Sequence, residues 1–117
     1  MADTQHITVT KDNGVSIVQF ADRKILEELT IKEIEDELLR IVDAESPIKL
    51  LLNFQNVEHL SSAALGTLIN LNDKIGKGNG RLILSEINTN IFEVFKITRL
   101  NKLFEICDSS EQAMQKF

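Results

Sequence analysis

The stretch IKLLLNFQNVEHLSSAALGTLINL, residues 48–71, sets an apolar run against an amphipathic one and places two serines at the join. Its first part, Ile48 to Phe54, is a nearly continuous apolar run of strand length, the pattern of a strand covered on both faces at the centre of a sheet. Its last part brings Leu65, Leu68, Ile69 and then Ile75 to one side of a helix. A buried strand that feeds a helix through a short polar loop is the building unit of α/β layers. Ser61 and Ser62 fall where that helix begins.

Beyond the helix, Gly76-Lys77-Gly78-Asn79-Gly80 resembles a phosphate loop only in composition. Phosphate loops follow a strand and open a helix, with Ser or Thr after the Lys; here the glycines close a helix, so they read as a stop and turn. The strand RLILSE (81–86) follows, then Asn90-Ile91-Phe92-Glu93 as a cap for a helix with Ile91, Phe92, Phe95 and Ile97 on its apolar side. LFEIC (103–107) is a last short strand, and Ser109-Ser110-Glu111-Gln112 caps a terminal helix that contains Ala113 and Met114.

On the other side of the central strand, Pro47 interrupts. Residues 6–11 and 15–20 are strand-like and joined by Asp12-Asn13-Gly14, whose Asn-Gly pair suits a tight hairpin. Thr30-Ile31-Lys32-Glu33 has the form of a capping box for a helix over 30–44, with Ile31, Ile34, Leu38 and Ile41 inward. Glu28 to Lys32 and Asp36 to Arg40 have the spacing of ion pairs on its solvated, acidic face. The sequence thus predicts an α/β layer structure opened by an antiparallel hairpin.

The 117 residues suffice for one domain, 1–117. Hydrophobic residues at 43% and charged residues at 26% match globular averages and exclude a disordered or fibrous chain. A net charge of -5, with acidic residues crowded between Glu27 and Glu37, argues against nucleic acid and for a protein partner. No apolar run reaches the ~20 residues of a membrane span, and the polar start MADTQH has no signal-peptide form, so a cytoplasmic protein without membrane insertion is expected. Cys107 is single and reads as an ordinary, half-buried strand thiol.

Three chemistries are open to Ser61 and Ser62. Either can cap the helix by accepting from a free backbone N–H. A nucleophile needs a base and an oxyanion site, yet there is no Gly-x-Ser-x-Gly elbow, and His59 has no third residue to orient it. His6, His59 and Cys107 lack metal-ligand spacing, so neither metal nor cofactor is expected. The third use is a phosphorylation switch, since a phosphate at a helix start meets the positive end of the helix dipole.

The ordered set IKLLLNF, QNVEHLSSAALGTLINL, GNGRLILSEI, FKITRLNKLFEI and DSSEQAM resembles the STAS domain of bacterial anti-sigma factor antagonists, over about residue 7 to 117. The resemblance implies the STAS fold, a mixed central β-sheet of about four to five strands flanked by about four α-helices. That family usually has Asp-Ser-Ser or Asp-Ser-Thr, then Gly-Leu-Gly, in the loop before the second helix, and a kinase phosphorylates the serine after the Asp. With Leu65-Gly66 on the family's Leu-Gly, that serine is Ser62, with Ser61 as second choice. Ser61 then stands in place of Asp, Ala63 in place of the second hydroxyl residue and Ala64 in place of Gly.

What the resemblance implies is partner switching. The unphosphorylated protein binds an anti-sigma factor that is a serine kinase with an ATP-binding fold; phosphorylation releases it, and a phosphatase resets it. The chain is then a substrate and no enzyme, with His59, Ser61, Ser62, Ala63 and Ala64 on the contact surface. Two alternatives share the resemblance: a constitutive STAS subunit docked on the ATPase of a lipid-transport ABC complex, and a signalling scaffold.

Overall fold

The computed structural model describes residues 6–45 and 47–117. Strands β1 (Ile7–Asp12) and β2 (Val15–Phe20) pair antiparallel in the register Ile7↔Phe20 to Asp12↔Val15. Asn13 and Gly14 join them with φ values of 53° and 81°, the two positive values that a tight two-residue hairpin requires. The chain next forms a two-residue strand, β3 (Lys24–Ile25), and helix α1 (Glu28–Ala44). Strand β4 (Lys49–Asn53), strand β5 (His59–Leu60) and helix α2 (Ser62–Lys77) follow. Strand β6 (Arg81–Ser85), helices α3 (Thr89–Ile97) and α4 (Leu100–Leu103), strand β7 (Glu105–Cys107) and helix α5 (Ser110–Lys116) complete the order.

The main sheet has the order β1-β2-β4-β6-β7, and every pair after the opening hairpin is parallel. β4 lies at its centre, as its apolar run requires: Leu50, Leu51 and Leu52 are fully buried. Alternation splits them between two cores. Leu50 and Leu52 join Ile34 and Leu38 of α1, Leu68 and Ile75 of α2 and Phe95 of α3. Leu51 faces the other side, with Val15, Ile83, Cys107 and Ala113 of α5. Cys107, expected half-buried, is instead buried, because its side chain joins this second core.

Several expected details are corrected. The Thr30–Glu33 capping box does not form, because α1 starts at Glu28 with Thr30 inside its first turn, and the Glu33 carboxylate meets the His6 imidazole. The buried stripe of α1 is Ile31, Ile34, Leu38 and Val42, with Ile41 half-buried at its margin. Lys32 turns to Asp36 (3.3 Å) and Glu35 (4.0 Å) in place of Glu28, and Arg40 has no ion pair among the described residues. Helix α3 is capped by Asn88, whose Oδ1 accepts from Ile91 N–H at 2.8 Å, so Asn90 lies within the helix. The buried face of α3 is Ile91 and Phe95, and Ile97, two residues past Phe95, points away from it and is 79% exposed.

The glycine run after α2 is a helix stop, as read. Gly78 N–H donates to the Lys74 and Ile75 carbonyls, and Asn79 turns the chain with φ 62°. Gly80 then passes so close to Ile48 that an added Cβ would lie 2.6 Å from the Ile48 carbonyl oxygen. Ser109 caps α5 through Gln112 N–H at 3.2 Å. No helix among the described residues is long and apolar enough to cross a membrane.

Candidate functional site

The loop from Phe54 to Ser61 leaves the C-terminal end of β4, the edge at which open α/β sheets present their ligand-facing loops. It is held rigidly by its backbone. Val57 is buried and donates its N–H to the Phe54 carbonyl at 3.0 Å. Glu58 and His59 donate their N–H groups to the Arg23 carbonyl at 2.7 and 3.1 Å, and Ser61 donates to the Ile25 carbonyl at 3.1 Å. From the other side, the Asn88 amide donates to the Val57 and Glu58 carbonyls at 3.2 and 3.4 Å. One residue thus caps α3 and tethers the loop.

Strands β3 and β5 pair in parallel as Lys24↔His59 and Ile25↔Leu60. Ile25 is buried and Leu60 half-buried, so Lys24 and His59 occupy the opposite, solvent-facing side. His59 makes no hydrogen bond to either serine, and neither serine has a base beside it among the described residues. Nor do these residues place three His, Cys, Asp or Glu side chains together as metal ligands.

The two serines have different environments. Ser61 is the N-cap of α2: its Oγ accepts from Ala64 N–H at 3.1 Å and its carbonyl accepts from Leu65 N–H at 3.1 Å. Ser62 is the first helical residue, exposed, with a hydroxyl that makes no hydrogen bond among the described residues. Ala63 is exposed as well. Ala64 is corrected: it is 5% exposed and packs in the main core, because the third helical position turns inward between Leu60 and Leu68.

Beside this corner lie apolar side chains, of which the sequence did not single out Leu26 and Val94. A groove of about 260 Å³ lies beside His59, walled by Leu26, Leu65, Ile91 and Val94. Leu26 is 47% and Val94 42% exposed, and Leu29 of α1 and Ile97 of α3 are exposed at 70% and 79%. The signal was present in part: Leu26 precedes α1, Leu29 falls outside its buried stripe, and Val94 sits one turn before Ile97. An exposed hydroxyl at a helix start can act as an acceptor of charge at a contact surface.

Comparisons with known proteins agree on the fold. A solved STAS domain protein from Planctomyces limnophilus, described as an anti-sigma-factor antagonist, superposes with a TM-score of 0.86 at 19% identity, over 94% of this chain and 96% of that one. The Bacillus cell fate determinant SpoIIAA in its phosphorylated form superposes with a TM-score of 0.68 at 12% identity, over 94% and 97%. In sequence, BtrV of Bordetella bronchiseptica, described as a candidate anti-sigma factor antagonist, is 24% identical over 111 residues, 95% of this chain and 93% of BtrV. The STAS domain profile matches residues 6–113, almost the entire length, and by that match the chain belongs to the STAS domain family.

Proposed function

We propose that this chain is an anti-sigma factor antagonist that works by partner switching, with Ser62 as the switch. Unphosphorylated, it binds an anti-sigma factor that is also a serine kinase with an ATP-binding fold; phosphorylated at Ser62, it is released until a phosphatase resets it. The chain is the substrate in this cycle. The observation that carries the reading is the division of labour at the helix start. Ser61 is engaged as the cap, and Ser62 presents an unengaged, exposed hydroxyl at the first position of α2.

The physics supports both halves of a switch. A phosphate on Ser62 carries about -1.5 to -2 charges, which the N-terminal end of the 16-residue α2 accommodates without disturbing the fold. A partner packed over the same corner would have to desolvate that charge, and a penalty of about 4 kcal/mol lowers affinity roughly a thousandfold. Ser in place of the family Asp is compatible with this, because both residues are good N-caps and Ser adds no negative charge beside the phosphate. SpoIIAA, similar in fold, is known in a phosphorylated form, so this fold is compatible with a phosphorylated state.

The test is intact mass and site mapping after incubation with ATP and a lysate of the source organism, with Ser62→Ala as control. One added phosphate on Ser62, absent from the variant, is expected. Phosphate on Ser61 would move the switch by one residue. An ATPase captured equally by wild type and Ser62→Asp, with no phosphate incorporated, would replace the switch with a constitutive docking subunit.

A further inference from the structure

His6 stands at the start of β1, and both of its ring nitrogens meet carboxylates. Nδ1 lies 2.8 Å from Asp22 Oδ2 and Nε2 lies 2.7 Å from Glu33 Oε1. The side chain is only 15% exposed. A neutral imidazole has one N–H and one lone pair, so it can donate to one of these carboxylates and must turn its lone pair on the other. The imidazolium donates to both, in charge-assisted bonds. Burial opposes the charge, but the hydrogen bond to Glu33, the attraction of Asp22 and the remaining contacts with the two carboxylates outweigh it and hold the group above its ordinary value of 6.5.

The two carboxylates flank one segment, Asp22 at its start and Glu33 in the helix after it. Asp22 opens the strap 22–27 between β2 and α1, and Glu33 lies in α1 just beyond its other end. Between these anchors, the strap supplies the Arg23 carbonyl to the N–H groups of Glu58 and His59 and the Ile25 carbonyl to the N–H of Ser61. Among the described residues, Asp22 and Glu33 are the charged groups that act on the ring; β1 and β2 contribute none. A single imidazole therefore joins the start of the strap to the helix that follows it, and the Ser61–Ser62 loop is hung on the strap between.

We infer that the His6 imidazolium is a proton-dependent clasp: bridging Asp22 and Glu33, it holds the strap 22–27 against the Ser61 loop, and loss of its proton releases one carboxylate and loosens the loop. The sign follows from linkage. The clasp is fully closed below the ordinary histidine range and opens as the pH rises through the raised value of His6. The inference concerns the free chain, so it stands or falls independently of partner switching.

The test pairs an NMR titration of the His6 ring, from about pH 5.5 to about pH 9, with amide hydrogen exchange at each pH, expressed relative to the unstructured chain. Protection of the Glu58, His59 and Ser61 amides is expected to fall about tenfold across the His6 midpoint, with Leu51 and Ile83 in the central strands unchanged. In His6→Gln, which donates to one carboxylate but does not titrate, the three loop amides should show no such step. Flat protection across the wild-type midpoint, or a midpoint at or below about 6.5, overturns the clasp. The wild-type titration decides the matter even if the variant does not fold.

Discussion

The Oγ of Ser61 accepts the backbone N–H of Ala64 at 3.1 Å, which commits one of two adjacent hydroxyls to the start of α2. Removing it leaves that N–H without a partner in a half-buried setting. Ser61→Ala should lower stability by about 1 kcal/mol, within the usual range of about 0.5–2 for a lost cap. Ser62→Ala should stay within about 0.5 kcal/mol of wild type, since nothing in the fold uses its hydroxyl. Urea unfolding of the two variants separates the roles, and equal losses would show that the cap is shared.

A negative charge at Ser62 has a sign that can be read from stability alone. Ser62→Asp places a carboxylate at the first position of α2, where the helix dipole favours it by about 0.3–1 kcal/mol at low salt. The variant should be slightly more stable than wild type, and the gain should shrink as salt is added. A loss of stability in thermal unfolding would mean that the loop cannot hold a phosphate cheaply, which would undercut the switch.

Local chemistry made part of this structure legible from sequence. The Asn13-Gly14 turn, the β4 run and the Ser109 cap each depend on residues within a few positions, and each is found where it was read. Other features are decided at a distance. Glu33 turns from Thr30 to His6, 27 residues away, and so no capping box forms. Asn88 is chosen over Asn90 because its amide also reaches the carbonyls of Val57 and Glu58. The pair β3–β5 is two residues long on each side and exists only because the strap lies against the loop. Likewise, local chemistry left Ser61 and Ser62 undecided and only the family resemblance ranked Ser62 first; the backbone bond from Ser61 to the Ile25 carbonyl fixes where the helix starts, and with it which hydroxyl is free and that Ala64 faces inward.

Two glycines should respond in opposite directions to the same methyl group. At Gly80 a Cβ would meet the Ile48 carbonyl oxygen at 2.6 Å and Ile75 Cγ2 at 2.9 Å, and the backbone oxygen cannot step aside. Gly80→Ala should cost about 1–3 kcal/mol through overpacking. At Gly66, inside α2, a Cβ meets nothing within 4 Å, so Gly66→Ala should gain about 0.5–1 kcal/mol from helix propensity. Denaturant midpoints measure both, and a neutral Gly80→Ala would contradict the close approach.

The double role of Asn88 can be split by substitution. Asn88→Ala removes the cap of α3 and both bonds to the loop, and should cost about 1–2 kcal/mol. Asn88→Asp keeps an oxygen for Ile91 N–H but has no amide to offer Val57 and Glu58, so it should recover only part of the loss. Full recovery by Asp would show that the tether contributes nothing.

The exposed apolar side chains give the most direct probe of the proposed partner surface. Ile97 is 79% and Leu29 70% exposed, so neither gains much from the fold, and Ile97→Ser or Leu29→Ser should change stability by no more than about 0.5 kcal/mol. If these residues pack against an anti-sigma factor, truncation removes buried apolar area from the complex alone, and a side chain near the centre of such an interface contributes about 2 kcal/mol or more. Affinity should then fall roughly thirtyfold while the unfolding curve stays in place. Isothermal titration against the captured ATP-binding partner measures the first, and thermal unfolding the second. Unchanged affinity in both variants would place the partner elsewhere on the molecule, whereas a loss confined to Ile97→Ser would centre the contact on α3 beside the groove walled by Val94.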